Sequence, residues 1–210
     1  MLHLIKNKYV VALVLLFFSS ASLWGSTLLY DSVKQGQSIR GLSMGDAGTA
    51  SAEGAMALFY NPAGLSASGG VYRYEQLDYK NAVYDPSQVH MVHKTPFGFA
   101  NWKRSQMSGG DISVTAVGYG RQNRNGGSWG MTYKSIRDNS TDKTQTGWSA
   151  DVGTKIYLTR YLTLGVLAQD ILSKKMENLN PTVRTGVSVA NVDRTLSFNT
   201  DLVLHNREEE

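Results

Sequence analysis

The residues best suited to chemistry are two histidines and two aspartates. His90 and His93 stand three apart. Because successive side chains of a strand point to opposite faces, the two cannot easily share one metal ion. Asp151 and Asp201 lie in separate predicted strands, and nothing near either in the sequence supplies a second acid for acid–base catalysis. These residues therefore predict neither a metal site nor a catalytic pair.

Two short motifs and the lack of cysteine agree with this. The sequence Gly118-Tyr119-Gly120 lacks the third glycine and the following helix that a dinucleotide site needs. A glycosylation sequon at Asn139-Ser140-Thr141 is interpreted more simply as a turn. The chain has no cysteine, which excludes disulfides, thiolate metal sites and lipid attachment of the lipoprotein kind. We expect no catalytic residue, no cofactor, no metal and no enzymatic activity.

The first 22 residues predict an export signal. Lys6 and Lys8 precede an apolar run at 9–18, and the small residues 19–22 follow. The apolar run has roughly half the length that a membrane-spanning helix needs, so we expect it to be cleaved. Removing Lys6 and Lys8 lowers the count of Lys and Arg from 21 to 19, against 17 Asp and Glu. With so little net charge and no basic run, we expect no nucleic-acid partner.

From residue 71 onward the hydrophobic pattern has a period of two, with turn residues between the segments and no helical period. This predicts an all-β fold made of an antiparallel meander over residues 71–210. The nine predicted strands are 71–79, 88–94, 97–104, 111–120, 127–136, 147–158, 161–170, 182–190 and 195–204.

Three of the predicted strands, 147–158, 161–170 and 195–204, have one apolar and one polar face. In 147–158 the apolar face comprises Trp148, Ala150, Val152, Thr154, Ile156 and Leu158. The polar faces of the strands carry charges that we expect to face the lumen of a barrel, namely Asp151, Lys155, Arg184 and Asp201. Periodicity alone does not decide whether lipid or a dry protein core contacts the apolar face.

Three further features favour lipid, and hence a transmembrane β-barrel. Several strands are nine to eleven residues long, enough to cross an outer membrane at a tilt. The aromatics Trp148, Tyr157 and Tyr161 stand near strand ends, where interfacial girdles lie. The turn at 159–160 is minimal whereas 137–146 is long and polar, as in outer-membrane barrels. A secreted soluble barrel that encloses a ligand is the alternative.

An N-terminal segment, 23–70, differs from the strands in being rich in Gly and Ala. Its run 51–59 predicts a short helix that Asn61-Pro62 ends, because a proline disfavours helical geometry in the preceding residue. Residues 39–66 read IRGLSMGDAGTASAEGAMALFYNPAGLS. This stretch resembles the N-terminal signature of the FadL-like outer-membrane superfamily, including its PorV and PorQ branch of type IX secretion. The resemblance implies that residues 41–65 form a hatch that plugs the barrel, with Asn61, Pro62, Ala63 and Gly64 as its motif.

Two departures from that family stand out. Its barrels have more than nine strands, and single-chain bacterial barrels normally have an even number. The chain also ends in LVLHNREEE, without the terminal aromatic residue usual in the family. We therefore expect either a barrel that is incomplete at its C-terminus or a tenth strand, with 27–33 as the candidate.

The resemblance implies a bacterial outer-membrane protein, and we expect it to act as a secretion-associated barrel or adaptor. Its partners would be outer-membrane lipid and secretion-system components or exported proteins. The alternative is a FadL-like channel for long-chain fatty acids or other hydrophobic small molecules. A soluble ligand-binding barrel remains the alternative of another class.

Overall fold

The computed structural model describes residues 38–77, 87–105, 110–124, 126–140, 144–174, 179–191 and 195–205. A segment of short helices comes first, and a single nine-stranded antiparallel sheet follows it. The predicted signal at 1–22 and the candidate tenth strand at 27–33 lie outside the described residues. Every described helix is five residues or shorter, and none is long and apolar enough to cross a membrane.

Every strand pairs with its neighbours in sequence, in the order β1 to β9. The antiparallel all-β fold is therefore confirmed, and each predicted strand overlaps an observed one. The main difference is at β7, which continues four residues beyond the predicted end at 170. The strands are β1 Gly70–Leu77, β2 Ser87–Lys94, β3 Phe97–Ser105, β4 Asp111–Gln122, β5 Gly127–Asp138, β6 Gln145–Tyr157, β7 Leu162–Lys174, β8 Thr182–Ala190 and β9 Ser197–His205.

Residues 38–66 form a compact segment, here called the hatch segment. It contains helix α1 (Ile39–Ser43), a 3-10 turn (Gly54–Met56), helix α2 (Ala57–Tyr60) and a second 3-10 turn (Pro62–Ser66). Helix α2 ends at Tyr60, where Asn61 turns to an extended conformation before Pro62, as the sequence predicts. The predicted helix at 51–59 is wrong in its extent, because the structure divides that stretch between the first 3-10 turn and α2.

The sheet has an inner face, which packs on the hatch segment, and an outer face. In β5 buried and exposed residues alternate almost without exception, as expected for a strand with two different environments. The outer face is apolar and exposed, with Val152 at 43%, Ile156 at 49% and Phe198 at 46% of full exposure. In β6 and β9 these apolar residues thus lie on the exposed side of the sheet, whereas β3 and β4 also place apolar residues such as Trp102 and Ile112 on the buried inner face.

A hydrophobic core joins the hatch segment to the inner face. Leu58, Phe59 and Leu65 of the hatch segment are buried with Met91 and Trp102 of the sheet. The rings of Phe59 and Trp102 meet edge to face, with centroids 4.8 Å apart. Burying a side chain such as Leu58 or Leu65 stabilises a fold by about 1.5–3 kcal/mol. These few residues therefore hold the segment firmly on the sheet.

The connections between strands differ at the two ends of the sheet. One end, here called the turn end, has the connections 95–96, 123–126, 158–161 and 191–196. The other, here called the loop end, has the connections 78–86, 106–110, 139–144 and 175–181. The connection predicted at 137–146 is shorter than expected, because β5 continues to Asp138 and β6 begins at Gln145.

The sheet is open, since β1 and β9 are not paired with each other. Consecutive strands alternate in direction, so β1 and β9, as the first and ninth, run the same way. Both begin at the turn end. Closure of the predicted barrel and its insertion into a membrane stay predictions.

Candidate functional site

The hatch segment lies on a row of inner-face glycines that crosses six neighbouring strands. We call this row the glycine track. Several members are direct cross-strand partners, among them Gly98 with Gly118, Gly130 with Gly153, and Gly165 with Gly186. The track comprises Gly98, Gly118, Gly120, Gly130, Gly153, Gly165 and Gly186.

Any larger residue on the track would collide with the hatch segment. A Cβ atom at Gly130 would lie 2.7 Å from the backbone nitrogen of Ala63, and one at Gly165 would lie 2.8 Å from the Cα of Ala50. Real Cβ contacts essentially never fall under 3.0 Å. The backbones of segment and sheet therefore touch directly, which glycine permits because it has no side chain. Sequence analysis missed this row, although Gly153 and Gly186 share the faces of their strands with the charged residues Asp151 and Arg184.

Asn61 is the polar anchor of the hatch motif and is fully buried. Its Nδ2 donates to the backbone oxygens of Thr49 at 2.8 Å and Thr154 at 3.0 Å, with Val166 O further away at 3.3 Å. Its Oδ1 accepts from the backbone N–H of Ala63 at 3.1 Å, which caps the second 3-10 turn. One amide thus connects two parts of the segment to β6 and β7.

The other three residues of the motif are also buried against the inner face. Pro62 occupies the first position of the second 3-10 turn, where its fixed φ is favourable. Ala63 has no exposed surface. A Cβ at Gly64 would lie 2.9 Å from that of Ala57, so this position also requires the smallest residue.

Two of the four charges predicted to face a lumen bind the hatch segment directly. Lys155 Nζ donates to the backbone oxygen of Ala52 at 3.0 Å. Asp201 Oδ2 accepts from the backbone N–H groups of Gly48 and Thr49 at 3.1 and 3.0 Å, and from Thr49 Oγ1 at 2.6 Å. Hydrogen bonds to a charged group are stronger than neutral ones. Asp201 therefore fixes the first half of the segment to β9.

Arg184 reaches the segment less closely, with a guanidinium nitrogen 4.0 Å from Asp46 Oδ2. The other carboxylate oxygen of Asp46 accepts from Tyr60 Oη at 2.6 Å. On the same inner face, but toward the β1 edge of the sheet, His93 Nε2 lies 3.1 Å from the backbone oxygen of Leu65. Polar contacts therefore hold the segment at β2, β6, β8 and β9.

Asp151 forms ion pairs within a group of residues that are distant from it in the sequence. Lys134 Nζ lies 2.8 Å from Asp151 Oδ1 and 2.6 Å from Asp170 Oδ1, and all three side chains are 2% exposed or less. We call these three residues the buried charge cluster. Asp170 is 19 residues from Asp151 in the sequence, so it is not a neighbour in the numbering, and only the pairing of β6 with β7 brings the two carboxylates together.

A β-bulge in β7 creates the buried charge cluster. Ala150 pairs with Leu172 but Val152 pairs with Ala168, so three residues of β7 face Asp151 alone. Asp170, in the middle of them, has a φ of 55°, a conformation in which aspartate is enriched. Its backbone N–H donates to Asp151 Oδ1 at 2.8 Å. The bulge thereby turns an extra carboxylate inward.

The sequence also contains a Gly-x-Ser-x-Gly pattern at 41–45, so the expectation from sequence that this nucleophile motif is absent is wrong. In hydrolases this pattern places a nucleophilic serine on a strand-to-helix turn. Here Ser43 is exposed, ends the five-residue helix α1, and donates to the backbone oxygen of Arg40 at 2.8 Å. Within the described residues, the Ser43 hydroxyl is therefore engaged in closing the last turn of α1.

The histidines of β2 lie on opposite faces, as predicted. His90 is exposed and its ring lies 4.7 Å from that of Tyr74, while His93 is buried under the hatch segment. Within the described ranges, no group of three His, Asp or Glu residues is placed to hold a metal ion. The arrangement as a whole is a segment held on the sheet by close backbone contacts and hydrogen bonds.

Comparison with protein-family models, curated proteins and solved structures finds no match to the chain.

Proposed function

We propose that the protein is an outer-membrane β-barrel protein of the PorV/FadL type that acts as a secretion-associated barrel or adaptor. The observation that carries the proposal is the distribution of side chains on the sheet. Exposed apolar or aromatic residues occur on the outer face of every strand from β1 to β9, for example Tyr72, Val117, Val166 and Leu202. Exposed apolar surface on this scale marks a contact with lipid or with another protein.

The polar residues give complementary support. Lys134, Asp151 and Lys155 are buried between the sheet and the hatch segment. A soluble ligand-binding barrel has apolar side chains inside and polar ones in water, which is the reverse of the arrangement over β5 to β8. Lipid around the outer face would satisfy both faces at once, so the soluble alternative is the weaker one. The contrast between the turn end and the loop end also agrees with an outer-membrane barrel.

The hatch segment favours an adaptor over a channel. A channel needs a plug that moves, and here the plug interlocks with the glycine track and is hydrogen bonded by Asn61, Lys155 and Asp201. A fixed plug suits a protein that anchors partners at the membrane. Exported proteins or secretion components would be those partners, bound at the longer connections of the loop end.

One observation favours the FadL-like channel as a second candidate. A cavity of about 280 Å³ lies between the hatch segment and β1. Met56 and Met91 line it together with Arg40, Arg73 and Glu53. The methionines could contact the tail of a fatty acid, and the two arginines outnumber the one acid and could bind its carboxylate. Uptake of labelled fatty acid by cells with and without the protein tests this candidate, and equal uptake would eliminate it.

Membrane embedding is tested by site-directed spin labelling. The chain has no cysteine, so Val152→Cys and Phe198→Cys each give a single labelling site on the outer face. In reconstituted bilayers we expect both labels to collide with dissolved oxygen far more than with a water-soluble nickel complex. Gln145→Cys, at the exposed start of β6, is the control and should show the opposite preference. Nickel access at Val152 and Phe198 would contradict the proposal.

The adaptor role is tested by crosslinking in cells followed by affinity purification. Secretion components or exported proteins should be recovered with the protein. Recovery of lipid and lipopolysaccharide alone would count against the role. Release of the protein into buffer without detergent would instead support the soluble ligand-binding barrel.

A further inference from the structure

We infer that the turn end of the outer face binds the headgroups of anionic phospholipids. The inference rests on the proposed membrane embedding and adds a lipid class to it. The binding surface consists of four exposed cations, Lys94, Arg121, Arg124 and Arg160, here called the basic rim.

The basic rim lies at one level of the molecule. Lys94 ends β2, Arg121 stands near the end of β4, and Arg124 and Arg160 lie in the turns after β4 and β6. With strands about 4.8 Å apart, the four cations extend over roughly 20 Å of the sheet. That distance accommodates several lipid headgroups side by side.

The charge of this end is uniform where the structure describes it. None of the four cations forms an ion pair with a described residue, and the described turns 95–96, 123–124, 158–161 and 195–196 contain no acid. At the loop end, by contrast, Lys103 lies 3.4 Å from Asp111. The cations of the rim are therefore available to an external anion.

Aromatic rings accompany the basic rim on the outer face. Phe97, Tyr119 and Trp129 form a continuous row across β3, β4 and β5, with ring centroids 5.4 and 5.8 Å apart. Arg121 pairs directly with Trp129 across the strands, and the Arg160 guanidinium lies 5.6 Å from the ring of Tyr161. Tyr and Trp favour the boundary between lipid tails and water. The cations thus stand where phosphate groups of a bilayer would be.

The chemistry of the cations selects the ligand. Guanidinium groups donate paired hydrogen bonds to phosphate oxygens, which lysine cannot do in the same geometry. A zwitterionic lipid presents its own cation beside the phosphate and gains less from the rim. Phosphatidylglycerol, with a phosphate and no compensating cation, is the probe that isolates the effect.

The test measures lipid association by electron paramagnetic resonance in phosphatidylcholine bilayers containing the full chain. Spin-labelled phosphatidylglycerol should associate roughly fivefold or more strongly than spin-labelled phosphatidylcholine, as expected from cations near an anionic surface. The triple variant Arg121→Gln, Arg124→Gln, Arg160→Gln should lose this preference. A matched control, Arg137→Gln with Lys174→Gln, removes two exposed cations near the loop end and should keep it.

The possible failures are distinct. If the two lipids associate equally with the unmodified protein, the inference is overturned and the proposed function is left intact. The same holds if the basic rim binds acidic proteins but shows no preference between the two lipids. Loss of the preference in the control instead of the triple variant would overturn it as well. If the protein immobilises neither lipid, membrane embedding itself is refuted. Circular dichroism verifies that the variants keep the β-sheet.

Discussion

Replacing Asn61 should detach the hatch segment while leaving the strands paired. Asn61→Ala removes two donated hydrogen bonds, to Thr49 O and Thr154 O, and one accepted from Ala63 N. At about 1 kcal/mol for each bond, the loss is about 3 kcal/mol of the free energy of unfolding. Asn61→Asp has nearly the same shape but points a second oxygen at two backbone carbonyls. The Asn61→Asp variant should therefore be less stable than Asn61→Ala by about 1 kcal/mol or more, because the second carboxylate oxygen is a buried acceptor without a donor.

Urea titration in detergent micelles, followed by circular dichroism and by tryptic cleavage after Arg40, measures both effects. Cleavage after Arg40 should accelerate in the order wild type, Asn61→Ala, Asn61→Asp. Asn101→Ala is the control, because Asn101 lies on the outer side of β3 and bonds only the side chain of Thr115, at 2.8 Å. An Asn61→Asp variant as stable as wild type would refute the hydrogen-bond assignment, and equal losses for Asn61→Ala and Asn101→Ala would refute the anchoring role.

Three other perturbations follow from the same contacts. Gly165→Ala should lower the free energy of unfolding by about 1–3 kcal/mol, because the added Cβ would lie 2.7 Å from the hatch backbone. Gly70→Ala, whose nearest neighbour would be 3.6 Å away, should cost less than half as much, and a thermal melt that ranks them otherwise contradicts the glycine track. Lys134→Met should cost about 3–5 kcal/mol by leaving two buried carboxylates without their cation. Lys103→Met, in an exposed pair, should cost under about 1 kcal/mol in the same urea titration, and similar losses for the two would count against the buried charge cluster. Asp201→Ala should speed tryptic cleavage within the hatch segment without altering the circular dichroism of the sheet, and unchanged cleavage would show that Asp201 is not a tether.

The strands could be predicted because their residues alternate between a buried inner face and an exposed outer face. This alternation gives the sequence its period of two. In β6, Asp151 is buried and Val152 exposed, as alternation requires. The end of β7 could not be predicted in the same way. There the bulge at Asp170 shifts the register, so that Ile171 and Leu172 are both exposed and the alternation is lost. The hydrophobic pattern of β7 alone does not predict the bulge, because the extra residues are recognised only when β7 is paired with β6.

The contacts of the hatch segment depend on register, which the sequence leaves open. Lys134 is 17 residues from Asp151 in the numbering, and only the pairing of β5 with β6 brings the two together. The glycine track could in principle be predicted, since all of its members lie at positions of their strands that face the same side of the sheet. Helix α1 was missed because five residues are too few for a helical period to be recognised.

Direct contact between two backbones limits how the hatch segment can move. Each glycine of the track contacts one particular part of the hatch segment. If the segment slid along the strands by one residue, larger side chains of the sheet would collide with it. To leave, the segment must therefore move away from the sheet, and its contacts with the glycines of the track must break together. Any opening of this protein should therefore be all-or-none, with a barrier set by many small contacts breaking at once.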